Sequence, residues 1–253
     1  MPTFGPTELL LLALAAFAAG VVDAIGGGGG LITLPALLLA GVPPHQALAT
    51  NKTQALLGTS AAAWTYRRHG LLDMQGIQGL LVAAPLGAAL GALCAVFLPT
   101  ASLQPLIVVM LIAASLFMLL LPRLRSSLRA RPSPKAHWIT LAVAGLGFYD
   151  GLFGPGAGSL SILICVLFLN DSLSHASARA KVLNLSTMCM SVSLFAFHGL
   201  VRWELSALMA CANLVGGIVG ARLVLRGGDA LVRWSVLLAT ITLAGKMLWD
   251  NFL

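Results

Sequence analysis

The sequence predicts an all-α polytopic membrane protein built from two homologous repeats of four to five transmembrane segments each, inverted relative to one another, with helices broken by glycine. Three observations predict it. The chain is 58% hydrophobic and only 9% charged, against about 25% charged in ordinary soluble domains. Residues 74–122 hold no Asp, Glu, Lys or Arg, a run of 122 − 74 + 1 = 49, where one crossing needs only about 20 apolar residues. Glycine-rich breaks then interrupt apolar runs twice, and rare polar residues of the first half recur in the second at fixed spacing.

Apolar segments fall at 8–25, 30–45, 47–66, 75–98 and 102–121, then at 137–152, 157–172, 175–198, 203–225 and 230–249. The opening residues carry no basic n-region, so residues 7–25 read as a retained span and not as a signal peptide. The second segment of each half is short. Pro35 interrupts the first of these and Asn170-Asp171 ends the other, which suggests half-helices.

The repeat is read from pairs. Lys52 matches Lys181, His69 matches His198, Gly87 matches Gly216 and Gly91 matches Gly220, each at an offset of 129 (181 − 52). Asp23 and Asp150 match at 150 − 23 = 127, so two residues enter the second half between its Asp and its Lys. Residues 1–121 are thus the first transmembrane repeat, 122–136 a basic linker, and 137–253 the second repeat. The linker carries Arg123, Arg125, Arg129, Arg131 and Lys135 with Pro132 and Pro134 among them. Cations in a loop between hydrophobic blocks mark the cytoplasmic side of a membrane and do not indicate nucleic acid.

With five crossings per half, Arg67, Arg68, the linker cations, Arg222, Arg226 and Arg233 face the cytoplasm and Arg202 faces outside, ten against one. With four crossings the count is eight against three. The first arrangement fits the positive-inside bias better, and an odd number of crossings inverts the second copy. Gly87 with Gly91, and Gly216 with Gly220, are GxxxG pairs that let helix backbones approach closely. They would serve packing between the copies or the seam of a homodimer.

The chemistry-bearing residues cluster at the breaks. In the first, Asp23 precedes Gly26, Gly27, Gly28, Gly29 and Gly30; in the second, Asp150 precedes Gly154, Gly156 and Gly158. Irregular backbone does not survive against lipid, because its N–H and C=O groups would lack partners, so both breaks must be buried in protein or line a cavity. Lys52, Arg179, Lys181 and Lys246 are cations within or beside apolar segments. A charge at the bilayer centre costs about 2.5–3.5 kcal/mol on insertion scales. Lys246, near the chain end, can snorkel to the interface.

For Lys52 and Lys181 two compatible readings stand. They form ion pairs with Asp23 and Asp150, or they bind an anion together with Asn51, Asn184 and the N–H groups of the glycine-flanked helix starts. Asp23 and Asp150 then act in coupling or gating. His69 and His198 each precede a glycine at a helix end and read as caps before proton carriers. Cys94, Cys165, Cys189 and Cys211 lie scattered in apolar runs without CxxC spacing, so no metal, cofactor or disulfide is expected.

Gly26–Gly30 followed by Leu31-Ile32-Thr33-Leu34-Pro35, and Ala47-Leu48-Ala49-Thr50-Asn51-Lys52, resemble the sulfite exporter TauE/SafE family of membrane transporters. Tyr66-Arg67-Arg68, Gly147-Phe148-Tyr149-Asp150-Gly151-Leu152-Phe153-Gly154-Pro155 and Ala180-Lys181-Val182-Leu183-Asn184 extend the resemblance over nearly the whole chain. It implies a multi-pass protein of the bacterial cytoplasmic membrane whose partners are lipid and a small anion such as sulfite, a sulfonate or a related organic anion. No phosphate-binding GxxxxGK[ST] loop is present, so transport would be secondary and the chain not an enzyme. The alternatives are an intramembrane enzyme, which lacks GxSxG and HExxH here, and a non-transporting assembly protein, which has no need of paired buried lysines.

Overall fold

The structure, a computed structural model, describes residues 4–128, 136–169 and 171–252. Beyond Leu116 in the fifth helix and beyond Gly227 in the last, only the helical backbone is described. The described residues form helices throughout: α1 (Pro6–Gly26), α2 (Gly30–Leu39), α3 (Pro44–Arg68), α4 (Leu80–Phe97), α5 (Thr100–Leu128), α6 (Ala136–Leu152), α7 (Ala157–Phe168), α8 (Leu173–Phe197) and α9 (Trp203–Phe252). Four stretches are long and apolar enough to cross a membrane: Pro6–Gly26, Leu80–Phe97, Leu173–Phe197 and Trp203–Gly227. The chain is a multi-pass membrane protein.

Local signals fix these boundaries. Pro6 and Pro44 stand at first-turn positions of α1 and α3, where a missing N–H costs nothing, and the Glu8 carboxylate accepts the Gly5 N–H at 2.9 Å. Helices α3 and α8 end alike. Gly70 and Gly199 take positive φ, while Leu71 N–H donates to Tyr66 O at 3.1 Å and Leu200 N–H to Phe195 O at 3.0 Å. That six-to-one bond across a left-handed glycine is a common helix stop. The half-helices are 10 and 12 residues long, about 15–18 Å by helical rise.

Two expectations shift. The segments expected at 203–225 and 230–249 are one helix, Trp203–Phe252, because Gly227 and Gly228 with no proline beside them leave the hydrogen-bond ladder intact. The linker begins later than expected, since α5 runs on through Arg123 and Arg125 to Leu128; Arg129, Arg131 and Lys135 lie outside the described residues. Of the Lys246 side chain nothing is described.

Contacts define two ends of the bundle. At one, Arg202 lies over the Phe4 ring, His45 Nε2 meets Leu98 O at 3.0 Å, and Phe97 and His198 stack edge to face. At the other, Asp73 meets Arg179, and Ile77, Leu80, Leu169, Leu173 and Ile139 pack together. The chain enters α1 at the Phe4 end and α6 at the Asp73 end. Between the ends, α4 packs on α6 and α9 on α1 through small residues. A Cβ at Gly87 or Gly91 would come within 2.0 Å of the Ala144 or Phe148 carbonyl oxygen, and one at Gly216 within 2.2 Å of the Phe17 oxygen. The GxxxG pairs are therefore filled within this chain, where close helix approach replaces an outward-facing seam.

Candidate functional site

The two glycine breaks meet. Helix α1 stops at Gly27, whose φ of 78° only glycine adopts readily and whose N–H donates to Asp23 O at 2.9 Å. A Cβ on Gly27 would lie 2.3 Å from the Gly158 carbonyl carbon, and one on Gly158 would lie 2.6 Å from Gly27 Cα. Backbone thus passes backbone with no room for a side chain at either position.

The stop leaves carbonyls in a membrane interior that need donors, and each of the last four finds one. Tyr66 Oη donates to Ala24 O at 2.7 Å, Ser177 Oγ to Ile25 O at 3.2 Å, the Ser159 hydroxyl to Gly26 O, and the Ser159 N–H to Gly27 O at 3.1 Å. In the second break Tyr149 Oη donates to Pro155 O at 2.6 Å. Serines and tyrosines of the other helices thus stand in for water along the broken backbone.

Around this crossing sit the ionised side chains. Taken in order, the sequence would pair each Lys with the Asp of its own half, but the pairs are crossed. Lys52 Nζ lies 2.9 Å from Asp150 Oδ1 and Lys181 Nζ lies 2.7 Å from Asp23 Oδ2. Each Asp also accepts from a threonine of its own half: Thr59 donates to Asp23 at 3.3 Å and Thr187 to Asp150. The lysine side chains are 2% and 0% exposed, far beyond what snorkelling explains.

The site encloses a cavity of about 30 Å³, room for about two water molecules. Its wall takes Asp23, Asp150 and Lys52 from the charged set and Asn51 and Asn184 from the amides. Gly27, Gly29, Gly30, Gly154, Gly156 and Gly158 give it bare backbone. Three expected residues stand behind the wall. Lys181 is held against Asp23, Gly26 turns its carbonyl to Ser159, and Gly28 accepts the Leu31 N–H on its carbonyl at 3.0 Å. The asparagines are oriented by hydroxyls: Thr33 donates to Asn51 Oδ1, and Ser161 to Asn184 Oδ1 at 2.8 Å. With those oxygens engaged, the NH₂ group is each asparagine's donor.

Sequence reasoning missed Gln54, Asn213 and Met188 in the wall and Thr59 and Thr187 behind it. Thr187 stands three residues after Asn184, hence on its helix face, and Asn213 is a lone amide in an apolar run; both are legible signals. His69 and His198 have Nδ1 at 2.8 Å from the carbonyls of Thr65 and Leu194, capping their helices as expected.

At the Asp73 end a second ionic group closes the bundle. Arg179 reaches Asp73 at 2.8 Å and Asp171 at 3.0 Å, and its Nε donates to Asp73 O at 2.8 Å. The Gln75 N–H, with Arg179 assisting, holds the Asp73 carboxyl below its usual range, whereas burial pushes Asp171 up against the pull of Arg179.

Residues 12–247 match the sulfite exporter TauE/SafE family. The chain belongs to that family. It is similar to the "Probable membrane transporter protein" of Haemophilus influenzae, 36% identical over 243 residues that cover 96% of this chain and 95% of that one. Similar too are the Sinorhizobium "Probable membrane transporter protein ORF9" (37%, covering 96% and 93%) and the Escherichia coli K12 "Probable membrane transporter protein YfcA" (34%, covering 97% and 91%). No solved structure matches. The chain is a transmembrane protein of the TauE/SafE transporter family, and its glycine crossing and crossed ion pairs lie well inside the matched residues.

Proposed function

We propose that this chain is a secondary transporter of small anions, sulfite, sulfonates or related organic anions, working by alternating access between two inverted halves in the bacterial cytoplasmic membrane. One observation carries the reading. Two buried lysines, each held by an aspartate of the other half, flank a cavity walled by glycine backbone and amide side chains. An anion entering there competes with Asp150 for Lys52 and with Asp23, through a shift of Lys181, for the other ammonium. Helix starts at α2 and α7 add positive dipole ends. The displaced carboxylates then stand in a medium that penalises unpaired charge, so each takes up a proton or draws in water. Asp23 and Asp150 thereby act in coupling or gating, and the chain performs no bond chemistry of its own.

Inversion is supported by direction and by caps. Helices α1 and α6 start at opposite ends of the bundle, and the stops after α3 and α8 repeat one geometry, also at opposite ends. The Asp73 end carries Arg67, Arg68, Arg222 and Arg226 and is the cytoplasmic end by the distribution of cations. A cavity of about 30 Å³ has to expand before an oxyanion fits, which is what an occluded intermediate of alternating access requires. The test is flux of sulfite and a sulfonate panel with the purified protein in liposomes. Saturable flux is expected, with Lys52→Gln and Lys181→Gln raising the half-saturating concentration at least tenfold while the protein stays folded. Absence of saturable flux for every small anion tried overturns the proposal.

A further inference from the structure

Among the polar side chains of the cavity wall, Gln54 carries a fully buried atom without a partner. Asn51 is held by Thr33, Asn184 by Ser161, Lys52 by Asp150, and Asn213 donates from Nδ2 to Ala16 O at 2.9 Å. Gln54 lines the same cavity, is 1% exposed, and its Oε1 has no hydrogen-bond partner among the described residues. Leaving a buried amide oxygen unpaired costs free energy that nothing within the chain returns. Nor does the repeat demand a glutamine, since position 54 + 129 = 183 is Leu183, packed in an apolar cluster. A buried acceptor without a partner, on a side chain that lines the cavity and is present in one half only, is a group that a ligand can satisfy.

What it would read follows from its neighbours. The Lys52 ammonium, once released from Asp150, and the asparagine NH₂ groups are donors of the wall that suit the acceptor oxygens of an oxyanion. Gln54 Oε1 is a buried acceptor without a partner among the described residues, so it suits a donor on the ligand. Charge points the same way. Lys52 and Lys181 balance Asp23 and Asp150 to a net of zero, and each further negative charge brought in must be neutralised. Resting on the transport reading above, we infer that Gln54 contacts the substrate directly and that the site takes a small oxyanion in its singly charged form carrying one O–H, which donates to Gln54 Oε1.

The experiment compares two anions in liposomes holding wild-type protein, Gln54→Leu or Gln54→Met. Sulfite gains or loses its proton across the working pH range; methanesulfonate is a monoanion without O–H. For the wild type, half-saturation by sulfite should follow the concentration of the singly protonated form as pH is varied. Both variants should raise the sulfite value about tenfold, the effect of one hydrogen bond to a buried polar group, and change the methanesulfonate value less than about twofold, the level of a contact that site never made. Gln54→Met keeps the length of the side chain, so one variant preserves packing if the other melts early. Equal weakening for both anions, or no weakening for either, overturns the inference while the transport reading stands. Wild-type half-saturation that follows total sulfite at every pH overturns it also, whatever the variants do. Flux of neither anion through the wild type removes the transport reading, and this inference with it.

Discussion

The turns after α3 and α8 are one design carried to two results. His69-Gly70-Leu71-Leu72-Asp73 and His198-Gly199-Leu200-Val201-Arg202 share the histidine cap, the left-handed glycine and the bond that ends the helix. They part at the last residue. Asp73 is taken by Arg179, which also holds Asp171. Arg202 lies across the Phe4 ring at 5.1 Å, and its Nη1 has no partner among the described residues. Backbone geometry needs only glycine and a spare carbonyl, so it survives a change of charge. Closure of an end depends on the charge itself. The Asp73 end is therefore latched by ions, while the Phe4 end is closed by aromatic and apolar contact.

The comparison breaks most severely at the centre, where the two halves exchange partners. Lys52→Ala would leave the Asp150 carboxyl without its partner and 4% exposed. Removing one member of a buried pair costs about 3–5 kcal/mol. The lower end of that range is expected for Lys181→Ala, because Asp23 is 15% exposed and can be reached by water. Removing both members, as Lys52→Ala with Asp150→Asn, should recover most of the loss. Thermal unfolding in detergent across the cycle measures this, and losses that simply add would show that the two residues are not coupled.

A smaller effect is expected from the glycine crossing. In Gly158→Val the new Cβ would meet Gly27 backbone at 2.6 Å, and overpacking of that kind costs about 1–3 kcal/mol. Gly145→Val on α6, where a Cβ meets nothing within 4 Å, is the control. Flux should vanish in the first variant and persist in the second. If Gly158→Val transports normally, the breaks do not touch at any obligatory step.

Much of this was legible in the chain. Glycine and proline punctuate apolar runs strongly, so α1, α3, α6 and α8 begin and end within a few residues of expectation. Asp23, Asp150, Lys52 and Lys181 were conspicuous because charge is rare inside a bilayer. Their crossed pairing was not, since spacing within a half carries no information about which helix of the other half lies alongside. Gln54 escaped notice for a different reason. In Asn51-Lys52-Thr53-Gln54 it is one polar residue among four, and only the three-dimensional arrangement buries its oxygen without a partner. The length of α9 is not legible in the sequence, because two glycines weaken a helix without ending it.

The smallest effect lies at the latch and sharpens the contrast between the ends. Arg179→Gln should lower the melting temperature by about 2–4 °C at neutral pH, as a loss of about 1 kcal/mol would in a chain of this size; Arg202→Gln, which breaks no ion pair among the described residues, should change it less. Acid should erase the difference. Asp73 is held below the usual carboxylate range, so its contribution is present above that range and is lost as pH falls through the lowered value. Asp171 is shifted up, chiefly by burial, so its contribution is complete below the unfolded value and is lost as pH rises through the folded one. The two slopes oppose each other in the wild type, which should show a shallow pH dependence from this cluster. Without Arg179, Asp171 keeps its burial and loses the pull that restrained it, so its shift grows. The Arg179→Gln variant should therefore lose stability relative to wild type as pH rises from about 4 to 6, around the ordinary carboxylate values, and should approach wild type at lower pH. Melting curves across that range decide it, and a constant difference at every pH would show that Arg179 acts through packing and not through its two carboxylates.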